Sequence, residues 1–365
     1  VLLLNNGDGV KKVFFIETKS KEPVDSLVSK VQQLIRQSNL LSCISQNDLT
    51  AIKIHFGEDR NTTHIPPECV KPVADSIREK EGNPFLTDTN VLYRSQRDNA
   101  VDHLHLAHQH GFTLEKTGVP VVIADGLIGN LEKDVAIPGK IFSTVSISST
   151  AIEANSLVIM SHVTGHMATG MGGAIKNLGM GFSSRKGKLR QHSVSKPSVT
   201  SKHCTGCGVC LEWCPADAIV MENDKAMIQN KICIGCGECI TVCRFGAVKH
   251  DWGMGENELQ KRMAEHALGV AISKKGKMGY INFLTNVTKD CDCISQDQDP
   301  LFPDIGILAS FDPVAIDAAS LDLIQERTGK SLTAISYPKV NAWVQISHGE
   351  SIGLGTSKYE LVEIS

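Results

Sequence analysis

The feature that most constrains this chain is a repeat of cysteines. Cys204, Cys207, Cys210 and Cys214, followed by Pro215, form a C-x2-C-x2-C-x3-C-P run, and Cys233, Cys236, Cys239 and Cys243 repeat the spacing. Eight of the 12 cysteines therefore fall in one short stretch, which argues for metal chemistry rather than a disulfide framework. In bacterial ferredoxins this spacing lets three thiolates wrap one face of a four-iron cluster while the fourth ligates the other cluster. The spacing predicts one [4Fe-4S] cluster on Cys204, Cys207, Cys210 and Cys243, and a second on Cys233, Cys236, Cys239 and Cys214. Gly206, Gly208, Gly235 and Gly237 fit tight turns around sulfur. Arg244 replaces the usual second proline. The alternatives are four-thiolate zinc sites, which use C-x2-C pairs with longer gaps, and clusters that serve only as staples.

A chain of 365 residues can bury one large core and a smaller one. With 41% hydrophobic and 21% charged residues and a formal charge of -3, it does not have the balance of a nucleic-acid binder. No apolar run reaches the roughly 18 residues of a membrane span, and Val1 to Leu4 is too short for a signal segment. The expectation is a cytoplasmic protein, in which the sequons at Asn61 and Asn286 are chance matches.

Short apolar strands alternate with amphipathic helices over the first 190 or so residues, and the pattern resumes after the cysteine runs. Strands are expected near 10–16, 50–55, 84–88, 119–124, 157–161, 280–284 and 305–309. Helices are expected over 23–37, 67–80, 98–110 and 313–327, the last capped by Asp312. The fold class predicted is α/β, a mostly parallel sheet flanked by helices, with an inserted small α+β ferredoxin-like domain. Residues 1–197 and 249–365 would make up the α/β domain, and 198–248 the insertion.

In open α/β sheets ligands bind beyond the carboxyl ends of the strands. His55 and Glu58, Asp88, Asp125 and His162 all follow expected strand ends and should share one rim. His162 and His166 lie four apart and, with His192, are candidate ligands of an additional metal, although Gly165 allows a loop in place of a helix. Cys291-Asp292-Cys293 is a second candidate for metal or cofactor contact. The glycine-rich stretch Gly170 to Gly181 matches no nucleotide fingerprint, but Lys176, Arg185 and Lys188 lie in or just after it and could hold an anion. The histidines at 103, 105, 108 and 110 read mostly as surface residues near a helix end.

Taken together, these residues resemble the iron-sulfur proteins grouped as domain of unknown function 362. The resemblance runs over most of the chain. It is carried by Ile52-Lys53-Ile54-His55-Phe56-Gly57-Glu58, Thr87-Asp88-Thr89, Ala124-Asp125-Gly126, Ser161-His162, Gly165-His166, Gly173 to Gly181, Gly187-Lys188, both cysteine runs and Ser310-Phe311-Asp312-Pro313. Members often carry Lys before the Gly-His pair, where this chain has Thr164. The resemblance implies an α/β domain with a ferredoxin insertion and implies no reaction.

The leading expectation is an oxidoreductase. Single electrons would pass through two [4Fe-4S] clusters to a metal, flavin or substrate near His55, Glu58, Asp88, Asp125 and Lys176, supplied by a redox partner protein. The alternatives are a carrier or assembly factor with no substrate of its own, and a metal-dependent hydrolase or isomerase with structural clusters.

Overall fold

The computed structural model describes residues 9–192, 196–233, 235, 237–249 and 257–365. Eight strands form one mixed sheet: β1 (Lys11–Glu17), β2 (Leu49–Lys53), β3 (Asn83–Asp88), β4 (Val121–Ile123), β5 (Ser156–His162), β6 (Met278–Leu284), β7 (Gly306–Ser310) and β8 (Tyr359–Glu363). Their order across the sheet is β8-β1-β7-β6-β5-β2-β3-β4. The block β6-β5-β2-β3-β4 is parallel, whereas β7 runs antiparallel to both β6 and β1. The expected sheet is thus present but mixed, because β6 returns directly into β7 without a crossover helix. The edge strand β8, which pairs in parallel with β1, was not expected.

Every residue of β6 is buried, as is all of β5 except its last residue, because helices cover both faces of the sheet. Side chains alternate between two cores. Leu157 and Ile159 of β5 pack on one side with α4 (Ala174–Gly179), α6 (Glu258–Lys274) and α7 (Pro313–Thr328). Val158 and Met160 pack on the other with α1 (Val24–Ser38) and α2 (Val70–Glu79). Helix α7 starts where expected. Asp312 accepts hydrogen bonds from the amides of Val314 and Ala315, and Pro313 occupies the first helical position. Helix α1 ends at Asn39, whose φ of 51° is the left-handed turn that stops a helix. Between β3 and β4 lies α3 (Ala100–Gln109), and α5 (Arg185–His192) follows α4.

The cysteine-rich segment leaves and rejoins the main body where Ser198–Val199 pairs with Val248–Lys249, and it contains a hairpin of Ile219–Glu222 with Lys225–Ile228. It has a small apolar cluster of its own, which packs against Leu92 and Leu189 of the larger body. Among the described residues, no helix is long and apolar enough to cross a membrane.

Candidate functional site

Strands β2, β3, β4 and β5 are parallel, so their carboxyl ends share one edge of the sheet. There they open into a cavity of about 1590 Å³. β2 supplies Lys53 and the following His55 and Glu58, β3 ends in Asp88, and β5 ends in His162. Lys176 and Asn177 reach the cavity from α4, Lys188 from α5, and Cys291, Asp292 and Cys293 from the loop after β6.

Buried charges on this wall come in pairs. Lys53 lies 2.9 Å from Asp88, and Arg97 3.0 Å from Glu58. His162 places Nδ1 3.0 Å from Asp292. Burial alone would push Asp88 up, but the charged Lys53 and Arg97 outweigh it and hold the carboxyl well below its ordinary range. Burial disfavours the charged form of His162, yet Asp292 reverses the balance and raises its pKa. Its Nε2 meets the carbonyls of Thr285 at 2.9 Å and Asn286 at 3.1 Å. With an acceptor at each nitrogen, the ring is a doubly protonated imidazolium. Neither nitrogen then has a lone pair for a metal.

His55 is the opposite case. Gly57 donates its amide to Nδ1 at 3.0 Å, and Arg97, which has only donors, lies 2.9 Å from Nε2. Burial and Arg97 together push its pKa far down, so the ring is neutral. His166 is also held neutral by burial and by Lys176. Its Nδ1 accepts from the amides of Ala168 and Thr169, both at 3.1 Å, which leaves the proton on Nε2.

Lys176 differs from Lys53, Arg97 and His162. Among the described residues no carboxylate lies within ion-pair distance, and its Nζ faces Cys291 Sγ at 3.7 Å. Burial lowers its pKa to about 8, with Asp292 opposing and Arg97 and Lys53 reinforcing the shift. An amine that gives up its proton near neutral pH can act as a base. Cys291 and Cys293 are joined as a disulfide beside it.

The glycines around α4 serve close approach. A Cβ at Gly181 would lie 2.8 Å from Lys53 Nζ, and one at Gly173 would lie 2.5 Å from the carboxylate of Asp317. That carboxylate accepts the amides of Ala174 at 2.7 Å and Ile175 at 2.9 Å. The amides the sequence offers to an external anion are therefore taken by an internal one.

Of the residues singled out in the sequence, His55, Glu58, Asp88, His162, His166, Lys176, Lys188, His192, Cys291 and Cys293 all line the cavity. Asp125 does not. It is buried behind the cavity, accepting from the backbone and side-chain nitrogens of Asn90 at 2.9 Å each. Arg185 points instead toward the carbonyls of Asp98 and Thr241. The segment from Thr164 to His166 is a strand and not a helix, so the two histidines do not stack. His103 is fully buried against Asp88, while His105 and His108 are exposed. Sequence reasoning missed Lys53, Arg97 and Asp317. A lysine between two isoleucines in a strand was a usable signal for the first, whereas nothing local marked the others.

The reading of the cysteine runs is corrected. Among the described residues, the group of three His, Cys, Asp or Glu ligand atoms lying within 4.8 Å of one another is His166, Cys291 and Cys293. Cys204, Cys207, Cys210 and Cys243 form no such group, and Cys207 is exposed. Nor do Cys214, Cys233 and Cys239, while Cys236 lies outside the described residues. Among the described residues there is therefore no evidence for the two [4Fe-4S] clusters or for a ferredoxin insert. The oxidoreductase and electron-carrier expectations that rested on them are withdrawn on the same ground. Cys291 and Cys293, expected as a thiol pair for metal or cofactor contact, are joined as a disulfide.

Known proteins were compared with this chain. No curated protein matches it. Among solved structures, the lactate racemase apoprotein from Thermoanaerobacterium thermosaccharolyticum is 12% identical with a TM-score of 0.42, over 83% of this chain and 57% of that one. A Thermotoga maritima protein is 9% identical with a TM-score of 0.38, over 86% of this chain and 60% of that one. The chain thus spans less than two thirds of the length of either. A family profile described as "Domain of unknown function (DUF362)" matches residues 50–322. That match takes in most of β2 through most of α7, and with it every cavity residue described above, so the chain belongs to the DUF362 family.

Proposed function

We propose that this chain is an isomerase-type enzyme that moves a proton on a small organic carboxylate, with Lys176 as the base. One observation carries the reading: Lys53, Arg97 and His162 on the cavity wall each have a carboxylate at ion-pair distance, whereas Lys176 has none among the described residues and faces Cys291 Sγ. Lys188, also without a carboxylate at that distance among the described residues, is instead held by Thr89 Oγ1 at 2.6 Å and the Ser183 carbonyl at 2.7 Å.

The unpaired amine does two things in turn. Protonated, it is the charge that draws in an anion, since a carboxylate bound there replaces the missing counter-ion. Deprotonated, it can take a proton from the carbon next to that carboxylate. Neutral His55 and the fixed ion pairs keep the surroundings from competing for the proton. The cavity is large enough for a small molecule and is closed on several sides by strand ends.

Incubation of the protein in deuterium oxide with a panel of small carboxylates, followed by proton NMR, tests the proposal. Deuterium should enter the α-carbon of at least one acid, and Lys176→Met should slow that entry by about 10²- to 10⁴-fold. Ester hydrolysis without exchange, or exchange unaffected by Lys176→Met, would overturn the reading.

A further inference from the structure

From the convergence of Cys291, Cys293 and His166 on the cavity wall, we propose a binding site for one soft or borderline divalent metal ion, open only when the Cys291–Cys293 disulfide is reduced. The ligand atoms of these three residues lie within 4.8 Å of one another, and all three residues line the cavity. Two thiolates and an imidazole are the donors that zinc and similar ions take, and three protein ligands leave a fourth position for a substrate atom. That position would open toward the cavity, where Lys176 lies 3.7 Å from Cys291 Sγ.

The disulfide makes the site conditional. As a disulfide, the two sulfurs have no thiolate charge to offer. A dithiol reductant attacks the bond, and two electrons and two protons pass to Cys291 and Cys293 while the reductant becomes a disulfide itself. When the ion binds, the two thiols release their protons to solvent. His166 binds through Nε2 as a neutral imidazole, so its ring proton moves to Nδ1 and the amides of Ala168 and Thr169 turn away from that nitrogen as the ion enters.

His162, which is spaced for a ligand pair with His166, is not part of the site because both its nitrogens are taken. The proposal rests on the sulfur atoms and does not depend on the proton-transfer reading.

Residue-level alkylation of the full chain tests it with Co²⁺ as the probe. Before reduction, Cys291 and Cys293 should resist iodoacetamide, as read by peptide mass spectrometry. After anaerobic reduction with dithiothreitol and its removal, both should alkylate, and Co²⁺ should protect both together. In His166→Ala, protection should need at least about tenfold more Co²⁺, since even outer-shell partners of a metal are worth that much. Alkylation at equal rates with and without Co²⁺ in the reduced wild-type chain would overturn the site. Unchanged protection in a folded His166→Ala would remove the histidine from it. These readouts count no other cysteine and need no activity, so they succeed or fail separately from deuterium exchange.

Discussion

Lys176 and Asp88 show how the same burial leads to different chemistry at single residues. Asp88 is surrounded by cations and is locked as an anion, whereas Lys176 faces sulfur and is free to titrate. Its folded pKa of about 8 lies below the ordinary lysine value, so the free-base form should grow as pH rises through 8. Exchange catalysed by the chain should therefore climb about tenfold per unit below pH 8 and level off above it, as a pH-rate profile would record. Stability carries the same sign. Above about pH 8 the unfolded chain holds a proton on this lysine that the folded chain has lost, so its contribution rises with pH up to the ordinary lysine range near 10.4. Asp88→Ala should act through stability. Removing the buried partner of Lys53 should cost about 3–5 kcal/mol in urea unfolding, because a buried charge is left uncompensated.

At the scale of elements, α4 is what places Lys176, and it is held at both ends by contacts distant in sequence. Asp317 of α7 accepts the amides of Ala174 and Ile175 and the side chain of Asn282. Burial raises its pKa to about 6, so its contribution to stability is full below about pH 4 and is lost as pH rises to 6. Asp317→Asn should flatten that part of the stability-pH curve and cost about 1–3 kcal/mol for the acceptor it removes. At the other end, Gly179 lies against α6, where a Cβ would come within 2.1 Å of the Met263 carbonyl. Gly179→Ala should destabilise the chain by about 1–3 kcal/mol and slow exchange by displacing Lys176. Strands β1 to β7 and helices α1, α2, α3 and α7 were legible in the sequence because their apolar periods are local, whereas α6, the 17-residue helix, and the edge strand β8 were not expected. The roles of Gly173 and Gly179 were not legible, since the atoms that require glycine there come from α7 and α6.

For the molecule as a whole, the rim of the parallel strands was legible, and His55, Glu58, Asp88 and His162 meet on it as strand-end logic requires. Asp125 follows the same logic yet lies behind the wall, because Asn90 draws its carboxylate inward. The mixed order of the sheet was hidden, since β7 and β8 are placed by long-range pairing. Spacing alone also misdirected attention to the cysteine runs, while the thiols that come together with a histidine are the two in Cys291-Asp292-Cys293. What the fold creates is a shared field. Three ion pairs share the cavity with two amines, Lys176 and Lys188, that have no carboxylate at ion-pair distance among the described residues. An NMR titration of the lysine side-chain signals, with Lys176 assigned by its loss in Lys176→Arg, reads that field directly. A midpoint near 8 is the predicted result. A midpoint in the ordinary lysine range near 10.4 would contradict the account, because Lys176 would then stay protonated at neutral pH.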